Sequence, residues 1–180
     1  MSVAVVVLVV LALVPAALSW RVWGGSQVQL ALVLAMTAAL TAAGVLVLVA
    51  GPPVWGDGFS RLLLVLLTAL AVVGGGPLSV FVLGWADRDS PPTPPGAART
   101  GPLEDGEILR GGAWIGSLER AGIFATLVAG WPEGVAIVLA VKGVGRYHEL
   151  GAAGAAERFI IGTFASVLWA SACAALWWFG

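Results

Sequence analysis

Four charged side chains sit where an apolar chain can least hold them: Glu119, Arg120, Lys142 and Arg146, in a stretch otherwise built largely of Ala, Val, Leu, Ile and Gly. A charge at the centre of a membrane helix costs at least ~2.5 kcal/mol unless it pairs, snorkels or faces water. Their spacing lets them pair. Residues 112–150 are interrupted by Trp131-Pro132-Glu133-Gly134, which reads as a tight turn with Pro132 opening a second helix. Folded about the bond between Pro132 and Glu133, this hairpin sets Glu119 opposite Arg146. Lys142 lies four residues before Arg146, one turn away on the same helix face, as a second partner. Arg120 points to a neighbouring face, toward Glu149 or Glu157.

Two roles fit such a cluster. Glu119, Arg120, Lys142, Arg146 and Glu157 could line a vestibule that binds an anion or passes protons. They could instead neutralise one another, lock the hairpin and snorkel toward the surface. The second is the expectation, because arginine stems are long and the cluster lies toward one interface. Other chemistry finds little support. His148 has no second histidine to complete a metal site. Gly143-Val144-Gly145 lies within an apolar helix and not after a strand, so it is no nucleotide loop. Ser117 and Ser166 have no histidine placed to activate them, and Cys173 is the only cysteine, which excludes an intrachain disulfide. No catalytic residue, metal or cofactor is expected, and the chain does not read as an enzyme.

The elements that must position these charges are membrane helices. Hydrophobic residues make up 59% of the chain and charged residues 11%, against about 25% charged in soluble domains. So little polar surface cannot cover a water-soluble fold of this length. Lipid can take its place. Residues 2–19, 28–51, 60–84, 121–141 and 159–179 are apolar runs that approach or cross a hydrocarbon core of about 30 Å. The first run has no Lys or Arg before it, so it reads as a retained helix and not as a signal peptide. A net charge of −1, without a basic tract, gives no electrostatic case for nucleic acid, which is not expected as a partner.

Charge distribution selects the hairpin. A single helix over 121–141 divides the nine basic residues five to four between the two sides, whereas a hairpin puts eight on one side and leaves only Arg61 on the other. The hairpin also sorts Trp20, Trp23, Trp85 and Trp114 to one interface and Trp55, Trp131, Trp177 and Trp178 to the other. The fold class is therefore all-α: a polytopic helical membrane protein of about six helical segments, including a spanning or re-entrant hairpin at 112–150. Residues 1–85 supply three transmembrane helices. Residues 86–111 form a cytoplasmic linker too polar and proline-rich to fold alone. Residues 112–180 hold the charged hairpin and a C-terminal transmembrane helix. Both termini are expected outside, and eight arginines to one lysine suit a GC-rich bacterium and its inner membrane.

Small residues mark expected packing faces: Gly162, Ser166, Ala170 and Ala174 on the last helix, Gly112 and Gly116 on the first hairpin arm. Gly74-Gly75-Gly76-Pro77 predicts a kink or break in the third helix. The C-terminal third, through Ile115-Gly116-Ser117-Leu118-Glu119-Arg120, Lys142, Arg146-Tyr147 and Ala156-Glu157-Arg158-Phe159-Ile160-Ile161-Gly162-Thr163 with Ser166, resembles a pattern in bacterial multi-pass membrane proteins of a domain-of-unknown-function family. The resemblance covers residues 112–171. It implies a membrane protein and draws attention to Glu119, Arg120, Lys142, Arg146 and Glu157, with no activity attached. The expected role is structural or partner-binding. The lipid bilayer is the first partner, and a membrane-protein partner or second copy of the chain the other. The alternative is a small oligomeric channel or transporter that uses the charge cluster.

Overall fold

In a computed structural model, residues 2–21, 27–51, 57–86, 108–147 and 155–179 are described. The proline-rich linker with Arg88 and Arg99, and His148 and Glu149, lie outside the described residues. The described residues form six α-helices and no strand: α1 (Ser2–Ser19), α2 (Gln27–Ala50), α3 (Asp57–Ala86), α4 (Ile108–Val128), α5 (Glu133–Gly145) and α6 (Ala155–Phe179). Valine-rich segments such as α1 have a side-chain preference for strands. A helix nevertheless satisfies every backbone group within one segment, the condition an apolar solvent imposes.

α3 and α6 pack against each other at the centre of the bundle, α1 lies against α2 and α3, and α4 lies against α3 and α6. α5 packs on α4. Buried positions in α2 recur at alternating spacings of three and four, at Val33, Met36, Leu40, Ala43 and Val47. That period keeps one stripe of the helix facing α1. The opposite face is as apolar as the core: Leu34, Val45, Leu48 and Val49 are exposed, as are Val3, Val7, Leu11 and Val14 of α1. Exposed apolar area on this scale is foreign to a monomeric soluble surface. Among the described residues, three helices are long and apolar enough to cross a membrane, over Gln27–Ala50, Gly58–Ala86 and Ala155–Phe179.

The glycine run in α3 organises the middle of the bundle. α3 continues from Asp57 to Ala86 with Pro77 inside it, so of the kink or break expected at Gly74-Gly75-Gly76-Pro77 the break does not occur. Pro77 has no N–H to donate four residues back, which leaves the Val73 carbonyl without its helical partner. The Trp20 indole donates to it at 2.8 Å. Two more outside donors reach the same turn, Arg120 Nε to the Val72 carbonyl at 3.0 Å and Trp169 Nε1 to the Leu70 carbonyl at 3.0 Å. Such proximity needs glycine. A Cβ at Gly74 would lie 2.5 Å from the Trp169 ring and one at Gly76 2.8 Å from the Trp20 ring, while one at Gly75 would overlap the Arg120 stem. The turn after α1, and helices α4 and α6, are thus each keyed to α3 by one large side chain that crosses a glycine and ends on a backbone carbonyl.

Candidate functional site: a charged cleft between α4, α5 and α6

The hairpin turn is built by a glycine cap. Gly130 takes φ +73°, and Trp131 N–H donates to the Thr126 carbonyl at 2.8 Å while Gly130 N–H donates to Leu127 at 3.0 Å. These two bonds form a Schellman motif, which satisfies the last carbonyls of α4 and reverses the chain. The Trp178 indole adds a third donor to this end of α4, at 2.9 Å from the Leu127 carbonyl. Pro132 then precedes Glu133 at the start of α5. The arms lie close because Gly134 meets Thr126, where a Cβ would come within 2.5 Å of its methyl, and because Gly122 faces Val138.

The cap moves the centre of the fold from the Pro132–Glu133 bond to a point between Gly130 and Trp131. That shift of about half a turn changes the partner of Glu119. Lys142 Nζ, expected as the second partner, is the cation that reaches the carboxylate, at 2.6 Å from Oε2, in place of Arg146, expected as the first. Arg146 sits one turn further along and lines the same cleft. The second arm is also shorter than expected, because α5 ends at Gly145 and not near residue 150.

Glu119 is 5% exposed and Oε1 has no hydrogen-bond partner. It stands nine residues from the C-terminal end of α4, about 14 Å into the bundle. Lys142 also lies over the Phe159 ring, 5.3 Å from its centroid, a cation–π distance. Arg120 leaves this group. It is 3% exposed, bonded to Val72 of α3 by Nε and to Ser117 Oγ by Nη2 at 3.4 Å, so it serves the glycine node and not the cleft. Glu157 is exposed on α6, and Arg158 beside it lines the cleft instead.

The cleft has a volume of about 180 Å³. Among the described residues its charged lining is Glu119, Lys142, Arg146 and Arg158, three cations to one carboxylate. Gly112 and Gly116, expected as a packing ridge, belong to its wall. A Cβ at Gly112 would meet nothing within 4 Å, so among the described residues no helix packs there. Gly162 does face another helix, with a Cβ position 3.5 Å from Leu83 of α3, and Ser166 and Ala170 continue that buried ridge within the chain. Thr163 lines the cleft too, and its hydroxyl is buried without a partner.

Sequence reasoning missed Arg158, Phe159 and Thr163 as members of this site. Three pairs spaced by four residues carried the signal: Gly112 with Gly116 on α4, Lys142 on α5 with Arg146 at its C-cap, and Phe159 with Thr163 on α6. Comparison with protein-family models, with curated proteins and with solved structures finds no match.

Proposed function

We propose that the chain is a polytopic protein of a bacterial inner membrane that acts as a structural or partner-binding component, with its charge cluster serving to hold the hairpin to the bundle. The exposed apolar face of α1 and α2, as apolar as the interior, carries this reading. The bias of the basic residues supports an orientation with the cleft end toward the cytoplasm and both termini outside. α6, at 25 residues, is about 37 Å long and spans the hydrocarbon core. The Gly130 turn lies beside Trp178 at the far end of α6, so α4 carries the turn to the outer surface. α5 has 13 residues, about 20 Å, and returns only part of the way.

The packing beyond the cleft favours a scaffold over a conduit. One turn along α4 from Glu119, Ile123 and Phe124 are buried, and Ala170 and Cys173 of α6 are buried at the same end. Water and ions meet an apolar plug there. The buried carboxylate keeps one other reading in view, a small oligomeric channel or transporter that uses Glu119, Arg120, Lys142 and Arg146. Reconstitution into liposomes with an internal pH dye and a mixed set of anions separates the two. The scaffold gives no flux above protein-free liposomes. Flux that Glu119→Gln abolishes, in a variant still folded, makes the chain a transporter.

A further inference from the structure

We infer that the cleft between α4, α5 and α6 binds a phosphate ester that also carries a hydroxyl or ammonium donor, the chemistry of a phosphatidylglycerol or phosphatidylethanolamine headgroup. The inference rests on the membrane reading for the source of the ligand, not for its chemistry.

Four observations converge on that chemistry. Among the described residues the lining carries three cations and one carboxylate, and the cations can take an anion. Arg146 and Arg158 both line it, and guanidinium forks match the oxygens of a phosphate. A bare anion does not complete the site, because Glu119 Oε1 is buried, unpartnered and able only to accept. The ligand must therefore present a donor a few ångströms from its negative charge. Thr163 Oγ1, also buried and unpartnered, can donate to the ligand or accept from it. The volume of about 180 Å³ has room for a small headgroup.

Access fits a lipid. Ile115, Leu118, Val141, Val144, Ile160 and Phe164 are exposed apolar side chains on the three helices that form the cleft, so acyl chains have a surface to follow. Basic pockets between membrane helices at the cytoplasmic side take anionic headgroups by the same physics. A soluble phosphoester such as glycerol 3-phosphate offers equivalent polar groups and is the second source.

The test titrates the full chain in detergent with dihexanoyl phosphatidylglycerol, dihexanoyl phosphatidylcholine and sn-glycerol 3-phosphate, read by calorimetry. Phosphatidylglycerol should bind about tenfold more tightly than phosphatidylcholine, whose quaternary ammonium has no N–H for Glu119. Arg158→Gln should weaken phosphatidylglycerol about tenfold. Thr163→Val should weaken it severalfold while leaving the ligand-free protein as heat-stable as the wild type, since the hydroxyl bonds nothing there. Glycerol 3-phosphate binding as tightly as phosphatidylglycerol supports the site and assigns it to a soluble ligand. Equal binding of the two lipids overturns the inference, as does wild-type affinity in both variants when each melts normally. Carbonate extraction of native membranes is run alongside. Release of the chain there ends the membrane reading, and the glycerol 3-phosphate titration still reports on the cleft.

Discussion

Lys142→Gln should lower the unfolding free energy by about 3–5 kcal/mol, the loss expected when one member of a buried ion pair is removed and the other left uncompensated. The Glu119 side chain is 3% exposed and that of Lys142 17%, so the carboxylate loses its nearest counter-charge where water cannot replace it and keeps only the longer-range attraction of Arg120. Glu119→Gln alone should cost less, because the Lys142 stem can carry its ammonium toward the surface. The double variant should recover most of the loss, since two neutral amides need no counter-charge. Reversible unfolding in mixed detergent micelles measures all four corners of the cycle. A coupling near zero would show that the two residues do not meet. The parallel cycle of Glu119 with Arg146 should give a smaller coupling, because Lys142 is the cation at 2.6 Å.

Gly74→Ala should cost about 1–3 kcal/mol, the range for forcing atoms into a filled core. The new methyl would lie 2.5 Å from Cζ2 and 2.9 Å from Cε2 of Trp169, a buried and rigid ring. Moving the ring breaks the Nε1 bond to the Leu70 carbonyl, so both packing and a hydrogen bond are lost. Gly44→Ala is the control, because a Cβ there meets nothing within 4 Å. It should leave stability unchanged or raised. Equal effects at the two glycines would mean that Trp169 does not seat on α3.

The helices were legible because their signal is length and apolarity, which the sequence carries in each segment by itself. The hairpin was legible from a single Pro-Glu-Gly interruption and from the placement of nine basic residues. Its register was not. Gly130 stands two residues before the proline, and its cap, not the proline, sets the turn; choosing the wrong centre ranked Arg146 ahead of Lys142, which was expected only as the second partner. The cleft was half legible for a related reason. Charges identify themselves, whereas Phe159 and Thr163 become site residues only through the side of α6 they present. The glycine run showed that α3 is unusual but not how. Its meaning lies in Trp20, Arg120 and Trp169, which come from three other segments and share no local pattern with it.

Labelling of single introduced cysteines with a membrane-impermeant maleimide tests the central claim, that α4 crosses the membrane with its charged cleft on the cytoplasmic side. Cys173 is fully buried and does not compete. Gly112→Cys fits without contact at the cleft end of α4, and Trp131→Cys places a thiol in the exposed turn at the other. In right-side-out vesicles position 131 should label and position 112 should not; in inside-out vesicles the pattern should reverse. Both positions labelling from the same side would contradict the account, because the hairpin would then enter and leave the membrane without crossing it.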